Sequence, residues 1–376
     1  MASTARPAPA PRRVVRARDL AVIIPAHNEA DAIAGTLTAL ARQTAVPRRV
    51  IVVADNCTDA TGYTAAINGA DVIVTEGNTH RKAGALNQAL AALGDDAPPF
   101  VLVVDADTRL APEFIDTAIS ALVADDGLGA VSGLFVGEKP RGILQQFQAN
   151  EYVRYSTQIR ATGRVSVVTG TASMFRTAAL REVAAARGGT LPGTRGDIYD
   201  RAAITEDSEL TLALKTAGWR MIAPEQCVCT TELMPTWRDL HRQRVRWYKG
   251  MLDNLREYGP SPVTLRYFGQ QLMILVGILT IATLLVLTAL SVAAGSFALN
   301  GFWLAIGGVF VIERVVTVWP GGIRARLLAA AFLPEIAYDI ALQAAFIHAV
   351  GLALLRRDTA WNHVTSHEAP ALAASS

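Results

Sequence analysis

Asp105 and Asp107 are the residues whose types and spacing point most directly to chemistry. They close the apolar run FVLVVDAD (100–107). Side chains two residues apart on an extended chain project to the same side, so both carboxylates can converge on one site. Hard carboxylate oxygens suit Mg²⁺ or Mn²⁺. A D-x-D triplet is common by chance, but its position at the end of a buried strand favours a metal site with Asp107 and Asp105 as ligands.

Polar residues also follow the other apolar runs. Asp55 ends RVIVVAD (49–55), and Asn28 and Glu29 follow LAVIIPA (20–26). An acid at the position of Asp55 could accept a hydrogen bond from the imide N–H of uracil or from a ribose hydroxyl. The alternative for Asp55 is a turn or helix-cap residue. Asn28 and Glu29 would form a further polar wall of the same site.

Lys82 is one of four lysines in the chain and opens the amphipathic stretch KAGALNQALAAL (82–93). A cation beside a helix N-terminus is a natural binding site for a diphosphate. A solvated surface lysine is the alternative.

Two further acids, Glu206 and Asp207, stand at the start of a predicted helix in ITEDSELTLALKTAG (204–218). A carboxylate there could take a proton from an attacking hydroxyl, as general bases often do. Ordinary acid placement in the first turn of a helix, with Thr205 as the N-cap, is the alternative.

A basic and aromatic segment, TWRDLHRQRVRWYKG (236–250), contains Gln243, Arg244, Arg246 and Trp247. It could be an interfacial amphipathic helix whose arginines reach the membrane surface. It could equally direct one or two arginines at a departing diphosphate, and both roles are compatible.

The elements that position these residues follow from the apolar runs. Four such runs alternate with amphipathic stretches over residues 20–107, which predicts an α/β domain with a largely parallel sheet. Ligands bind beyond the carboxyl ends of such strands, where the polar residues cluster. GAVSGLFVG (129–137) and VSVVTGTASMFR (165–176) are predicted strands, and the Gly-rich segment 188–200 is predicted to be a mobile loop.

The C-terminal part of the chain reads as a membrane region. Charged residues make up only 18% of the chain, against about a quarter in ordinary soluble proteins. Residues 267–290 and 301–319 are long and apolar enough to span a bilayer, which takes about 20 residues. A third segment, 326–355, contains Pro334, Glu335 and Asp339 and is either spanning or re-entrant.

Composition also excludes some classes. A net charge of +2 argues against a nucleic-acid partner. Three cysteines without zinc-type spacing predict neither a disulfide framework nor a structural metal, and fit a reduced, cytoplasmic setting. Residues 1–19 lack the apolar core of a signal peptide and are expected to be a disordered basic tail; residues 357–376 form a second tail.

The motifs, taken in order, resemble those of glycosyltransferase family 2. The succession D, D-x-D, T-E-D and Q-x-x-R-W is matched by Asp55, Asp105 with Asp107, Thr205 to Asp207, and Gln243 to Trp247. The resemblance covers roughly residues 20–255 and is closest to the membrane-bound branch, which includes cellulose, chitin, hyaluronan and poly-N-acetylglucosamine synthases.

The resemblance implies an α/β fold of GT-A type over residues 20–235, an interfacial helix over 236–260 and a membrane region over 261–356. It also implies a metal-dependent, inverting transfer of a sugar from a nucleotide sugar, typically a UDP-sugar. Asp207, next to Glu206, would be the catalytic base, and Asp107 would hold Mg²⁺ or Mn²⁺. The donor-binding residues would be Asn28, Glu29, Asp55, Lys82, Asp105, Gln243, Arg244, Arg246 and Trp247, and the acceptor-binding residues Gly170, Thr171 and Glu232.

Several partners and alternatives remain open. The acceptor could be a glycan, a lipid or a protein, and the enzyme could build a polysaccharide or add a single sugar to a polyprenyl phosphate or a protein. The expected location is the cytoplasmic membrane with the catalytic domain in the cytoplasm, and self-assembly would compensate for the few spans. A non-catalytic sensor of nucleotide sugars and a transporter component, suggested by charged residues in the spans, are the rivals.

Overall fold

The computed structural model describes residues 19–298 and 300–357, so the predicted tails 1–19 and 357–376 lie almost wholly outside the described residues. Its strands are β1 Leu20–Ala26, β2 Arg49–Ala54, β3 Asp71–Val74, β4 Phe100–Val104, β5 Arg109–Leu110, β6 Leu128–Ser132, β7 Leu134–Gly137, β8 Ala172–Arg176, β9 Arg220–Ile222 and β10 Val228–Thr231.

The helices comprise α1 Ile33–Ala41, α2 Thr61–Ile67, α3 Arg81–Leu93, α4 Phe114–Ala124, α5 Ile143–Thr162, α6 Thr177–Ala186, α7 Glu206–Thr216, α8 Trp237–Tyr258, α9 Leu265–Ala293, α10 Gly301–Thr317, α11 Gly322–Ala330 and α12 Phe332–Leu354. A 3₁₀ turn, Trp319–Gly321, joins α10 to α11.

The main sheet has seven strands in the order β3-β2-β1-β4-β8-β6-β9. Strands β1 to β4 are parallel to one another, whereas β8 is antiparallel to both of its neighbours. A small sheet, β5-β10-β7, lies apart from it. The predicted α/β domain with a largely parallel sheet is confirmed.

Apolar cores cover both faces of the main sheet. Along β1, Val22 and Ile24 belong to one buried cluster and Ile23 to the other. The same alternation holds in β4, where Leu102 and Val103 face opposite sides. Burial on both faces explains why these strands are continuous apolar runs, and it leaves the strand ends as the place for polar side chains.

Two predicted strands are shorter than expected. GAVSGLFVG divides at Gly133 into β6 and β7, because the chain there passes from the main sheet to the small one. A Cβ on Gly133 would lie 2.8 Å from the carbonyl oxygen of Ala172. In the other segment only β8 is a strand: the preceding amides of Val168 and Thr169 donate to side-chain hydroxyls instead of to a neighbouring strand.

Two helices, Leu265–Ala293 and Phe332–Leu354, are long and apolar enough to cross a membrane. The pair Gly301–Thr317 and Trp319–Ala330 would be a third span if it is taken as one, although it bends by 59°. The predicted third segment, 326–355, is thus two helices, α11 and α12. Pro334 does not interrupt α12, because it lies in the first turn, where its missing N–H donor has no partner to lose.

Residues 236–260 contain a helix, α8, and Thr236 caps it by accepting a hydrogen bond from the Asp239 amide at 3.2 Å; the position of α8 at a membrane interface remains a prediction. It packs against the membrane helix α12, where Val245 meets Ala345 and Ala349. Helix α8 therefore joins the catalytic domain to the membrane region.

Candidate active site

Lys82 joins the D-x-D motif to the T-E-D motif at the start of α3. Its Nζ lies 2.6 Å from Asp105 Oδ1 and 2.9 Å from Glu206 Oε1. Only 17% of the Lys82 side chain is exposed. Burial alone would lower the pKa of Lys82, but the two carboxylates raise it. The interpretation as a solvated lysine is therefore wrong, and a role in binding the donor remains a prediction.

Two adjacent acids at the start of α7, Glu206 and Asp207, have pKa values that are shifted in opposite directions. Burial opposes ionisation of Glu206, but the charge and hydrogen bond of Lys82 hold its pKa below the usual range. Burial first, and then the charge of Glu206, raise the pKa of Asp207 to about 6. Glu206 is thus kept as a carboxylate by an ammonium partner, whereas Asp207 can exchange a proton near neutral pH.

Gly170 and Thr171 hold the two motifs together through their backbones. The Gly170 amide donates to Asp207 Oδ2 at 3.0 Å, and the Thr171 carbonyl accepts from the Asp105 amide at 2.9 Å. A Cβ at Gly170 would lie 3.1 Å from Asp207 Oδ2 and 3.3 Å from Lys82 Nζ, so a glycine lets the backbone come this close. Acceptor binding by Gly170 and Thr171 remains a prediction.

A group of acids surrounds Asp107. Burial, then Asp105, then Glu232 raise the pKa of Asp107 to about 7. Burial and the charges of Asp107, Glu232 and Asp105 raise the pKa of Glu29 to about 8. Carboxylates that repel one another in this way form a site that attracts a cation.

Within residues 19–298 and 300–357, no group of three or more His, Cys, Asp or Glu side chains is arranged to enclose a metal. Mg²⁺ is usually held by one or two carboxylates together with substrate phosphates and water. Asp107, with its raised pKa, and Asp105 fit such a set.

Asp55 follows β2 and is fixed by three side-chain donors. Thr75 and Asn78 donate to Asp55 Oδ1, both at 2.8 Å, and Asn56 does so at 3.0 Å. Asp55 is 7% exposed, so it is more than a turn residue. Sequence reasoning missed Thr75 and Asn78; their place after the third apolar run was the signal available.

Gly84 makes room for this arrangement. A Cβ at Gly84 would lie 1.9 Å from Asn78 Oδ1, a distance that excludes any side chain without movement of the loop. The glycine in α3 therefore matters for how Asn78 reaches Asp55.

Asn28 lies in the loop after β1, and its backbone is in the left-handed region, at φ 56°. Its Oδ1 accepts from the Thr58 amide at 2.8 Å, which ties the loop after β1 to the loop after β2. His27 Nδ1 donates to the Asp55 carbonyl at 2.5 Å. A direct contact of Asn28 with a donor remains a prediction.

The Gln243–Trp247 motif lies on α8 and its two arginines differ in surroundings. Arg244 is 3% exposed, donates to Glu151 Oε2 at 2.9 Å and lies over the Trp247 ring, 4.3 Å from its centroid. The charge of Arg246 acts on the pKa values of Asp105 and Glu206. Arg246 is therefore the motif arginine whose positive charge favours the ionised form of the two acids paired with Lys82.

Thr205 is the residue before α7, as predicted, but its side chain does not cap the helix. Its hydroxyl is buried and has no hydrogen-bond partner in the described part of the chain. Helix α8 approaches this hydroxyl closely: a Cβ at Gly250 would lie 2.3 Å from Thr205 Oγ1. Helix α8 thus packs directly on the T-E-D motif.

The Gly-rich segment 188–200, predicted to be mobile, is fastened to the domain. The buried Arg187 guanidinium donates to the carbonyl oxygens of Pro192 and Ile198 and to both oxygens of Glu209. Asn87 fixes the last part of the segment through both backbone groups of Tyr199.

A pocket opens beneath the two motifs. Its lining combines the motif residues with the segment just described and with apolar core residues: Lys82, Leu86, Val103, Val168, Thr169, Gly170, Ser173, Phe175, Tyr199, Glu206 and Asp207. Tyr199 was not expected in this wall, because its segment was predicted to be a mobile loop.

Comparison with known families decides what these motifs belong to. Residues 17–250 match the profile described as "Glycosyltransferase like family 2". The chain belongs to glycosyltransferase family 2. The predicted resemblance is confirmed, and the matched region ends within α8.

Curated relatives of this family 2 chain are similar over the catalytic domain. Poly-beta-1,6-N-acetyl-D-glucosamine synthase of Staphylococcus aureus (strain MSSA476) is 26% identical over 235 residues, covering 61% of this chain and 53% of that protein. Probable glycosyltransferase YdaM of Bacillus subtilis (strain 168) is 27% identical over 247 residues, covering 61% of this chain and 54% of that protein. The chain thus spans about half the length of the curated relatives it matches.

A solved structure extends the likeness to the membrane helices. Mannosyltransferase PcManGT from Pyrobaculum calidifontis, in complex with GDP-Man and Mn²⁺, aligns with a TM-score of 0.61 at 22% identity. The alignment covers 93% of this family 2 chain and 90% of that chain. The predicted α/β fold of GT-A type, followed by C-terminal helices, is confirmed.

Proposed function

We propose that the protein is an inverting, metal-dependent glycosyltransferase that moves a sugar from a nucleotide-sugar donor to an acceptor hydroxyl at a membrane surface. The observation that carries the proposal is that the pKa of Glu206, which is bonded to Lys82, is lowered, whereas the pKa of the adjacent Asp207 is raised. Paired acids whose surroundings push their pKa values apart are the usual basis for separating an electrostatic role from a proton-accepting one. Membership of family 2 supports the same reaction.

Asp207 takes the proton of the acceptor hydroxyl in this reaction. The acceptor oxygen forms a bond to the anomeric carbon while the bond from that carbon to the diphosphate breaks, and the nucleoside diphosphate leaves with the bonding electrons. Attack from the face opposite the leaving group inverts the anomeric centre. Asp207 carries out this step because its pKa of about 6 leaves it ionised, yet basic, at neutral pH.

Lys82 and Arg246 stabilise the charge that develops on the diphosphate. Lys82 is held in place by Asp105 and Glu206, and the charge of Arg246 reaches the same two acids. Donors and cations that are already oriented cost no reorganisation during the reaction. Trp247 and Gln243, on the same helix as Arg246, complete the wall of the donor site.

Asp107, with Asp105, would hold Mg²⁺ or Mn²⁺ in this proposal. When bound, the cation offsets the negative charge of the diphosphate and acts as a Lewis acid on its oxygens. The mutual repulsion that raises the pKa of Asp107 to about 7 supports the assignment. Glu29 would face the same region from the loop after β1.

Asp55 binds the nucleotide base in this account. All three of its side-chain donors reach Oδ1, so Oδ2 is the oxygen that would accept an N–H of the base. Uracil and guanine both present such an N–H, and UDP-sugars and GDP-sugars are therefore the donors to compare. The Pyrobaculum mannosyltransferase was solved with GDP-Man.

The acceptor is proposed to be a sugar hydroxyl of a glycan, with Gly170, Thr171 and Glu232 on the acceptor side. Its support is the similarity to a poly-beta-1,6-N-acetyl-D-glucosamine synthase. The membrane helices α9 and α12 would hold the catalytic domain at the cytoplasmic face of the cytoplasmic membrane.

Purified protein incubated with a panel of radiolabelled UDP-sugars and GDP-sugars and short glycan acceptors tests the proposal. Nucleotide release and label transfer are expected with one donor class, and an excess of chelator is expected to abolish both. Undiminished transfer in chelator would remove the metal from the mechanism. Donor binding without any release or transfer would favour a sensor instead.

A further inference from the structure

A buried polar network lies where α5 and α8 meet the membrane helix α12. Two residues one turn apart on α5, Glu151 and Arg154, face two residues one turn apart on α12, Glu335 and Tyr338. Arg154 Nη2 lies 2.9 Å from Glu335 Oε2, and the Tyr338 hydroxyl donates to Glu151 Oε2 at 2.7 Å. Because the two residues on each helix are spaced at i and i+3, they form two polar contacts between the same two helices.

The pair formed by Arg154 and Glu335 receives a further contact from a third helix. Glu335, which is fully buried, also accepts from Arg314 on α10 at 2.5 Å. A buried carboxylate that pairs with two arginines fixes the register of the helices that carry them, since displacement would leave a buried charge without a partner. The register of α12 against α5 sets where Tyr338 stands.

The pair formed by Glu151 and Tyr338 is connected to the Gln243–Trp247 motif. The oxygen of Glu151 that accepts from Tyr338 also accepts from Arg244 Nη2 at 2.9 Å. Arg244 in turn covers the Trp247 ring, with 4.3 Å between the guanidinium carbon and the ring centroid. The orientation of Trp247 is thus linked by contacts to a hydroxyl on a membrane helix.

Tyr338 itself has little freedom to move. It is 2% exposed, and its ring stacks on Phe147 with 4.9 Å between centroids and 10° between planes. Glu151, by contrast, is one-third exposed, so two donors on one of its oxygens are what hold it towards Arg244.

We propose that Tyr338 is a positioning residue for the Gln243–Trp247 motif, acting through Glu151 and Arg244, so that docking of the membrane helix α12 sets the orientation of Trp247 in the donor site. The inference rests on the proposed function, because it takes this motif to be part of the substrate site. It gives a membrane helix a part in positioning the donor site, beyond holding the enzyme at the bilayer.

Tyr338→Phe tests the relay, since it keeps the stacked ring and removes only the hydroxyl. Loss of a hydrogen bond to a charged group is expected to lower kcat/KM for nucleotide release about tenfold. Tyr267→Phe is the matched control. Tyr267 is a buried tyrosine on α9 whose hydroxyl bonds Lys215 and Ser166, away from the motif, and its loss is expected to leave kcat/KM unchanged.

A double-mutant cycle separates a relay from two independent packing defects. Arg244→Met removes the guanidinium that receives the effect, so Tyr338→Phe is expected to cause no further loss of kcat/KM in that background. If the two losses multiply instead, Tyr338 does not act through Arg244 and the proposal is overturned.

A measurement that needs no turnover keeps this test apart from the test of the proposed function. In a variant whose single tryptophan is Trp247, the other five being replaced by Phe, Tyr338→Phe is expected to shift the emission maximum and to increase quenching by acrylamide. Tyr267→Phe is expected to change neither. If the parent enzyme uses no donor, the proposed function fails while this readout still decides the relay; unchanged Trp247 emission and quenching in Tyr338→Phe would overturn it.

Discussion

Glu206 and Asp207 show at the residue scale how one lysine can give two neighbouring acids different chemistry. Glu206 is buried and Asp207 is half-buried at the start of α7, and Lys82 bonds only Glu206 directly. The ammonium keeps Glu206 ionised, and the resulting negative charge adds to burial in raising the pKa of Asp207 to about 6. Burial, together with an already ionised neighbour, is what makes Asp207 the better proton acceptor.

The rate should therefore depend on acidity. Asp207 accepts a proton only in its ionised form, so kcat is expected to fall as the pH drops through about 6 and to level off above it. The measurement is kcat against pH at saturating donor and metal. A rate that stays constant through pH 6 would contradict the assignment of Asp207 as the base.

How far the site could be predicted differs from residue to residue. Asp105 and Asp107 were accessible from the sequence because they follow a buried strand of an α/β sheet. Glu206 and Asp207, which first-turn placement alone could explain, were accessible because they stand in the order of the family motifs. Asn78 and Thr75 were not, since a single amide or hydroxyl in a loop looks like any turn residue until the fold brings it to Asp55.

At the element scale, α8 meets the residue before α7 at Gly250, where there is no space for a side chain. Gly→Ala inside a helix normally stabilises it by about 1 kcal/mol. At Gly250 the opposite sign is expected, because the new Cβ would lie 2.3 Å from Thr205 Oγ1 and must push α8 away from the T-E-D motif. Gly250→Ala should lower both the melting temperature in detergent and kcat.

Gly277→Ala in α9 provides the control for this prediction. A Cβ at Gly277 would have no atom within 4 Å among the described residues, so melting temperature and kcat should hold or rise slightly. Adding Thr205→Ala to Gly250→Ala should restore part of the loss. Equal behaviour of Gly250→Ala and Gly277→Ala would show that the contact between α7 and α8 does not matter.

The elements themselves were predictable where one physical rule dominated. Strands buried on both faces are continuous apolar runs, and β1 to β4 lie where those runs are. The break at Gly133 and the loop before β8 depend on which partner strand or hydroxyl is within reach, which is a tertiary property. Whether 326–355 spans or is re-entrant was left open in part by Pro334, whose position in the first turn of α12 depends on where that helix starts.

At the scale of the whole molecule, the positive-inside rule predicts on which side of the membrane each part of the chain lies. Arg324 and Arg326 follow α10, whereas the connection between α9 and α10 carries no charge. That connection is therefore expected to lie outside and the catalytic domain inside. A cysteine introduced as Ala298→Cys should react with an impermeant reagent in intact cells; reaction only after permeabilisation would reverse the topology.

Coupling between catalytic domain and membrane could not be read from the sequence. Charged residues in the second and third apolar segments suggested a transporter component, but Arg314 pairs with Asp339 and Glu335, and Glu335 also pairs with Arg154 of α5. These charged residues therefore form ion pairs between helices that are far apart in the chain, and such structural contacts account for them without a transport pathway. Only the fold brings Arg154 and Arg314 to these acids.

The central claim, that Asp207 is the base of a glycosyl transfer, is tested most directly by Asp207→Asn. The amide keeps the size of the carboxylate but cannot take the proton, and loss of a general base costs about 10²–10⁴ in rate. Nucleotide affinity should hardly change, because Asp55, Lys82 and the metal site bind the nucleotide in this account. The measurement combines calorimetry of UDP and GDP binding with steady-state transfer for the variant and its parent: unchanged affinity with transfer lost is the predicted result, and transfer retained at the parental rate would contradict the account.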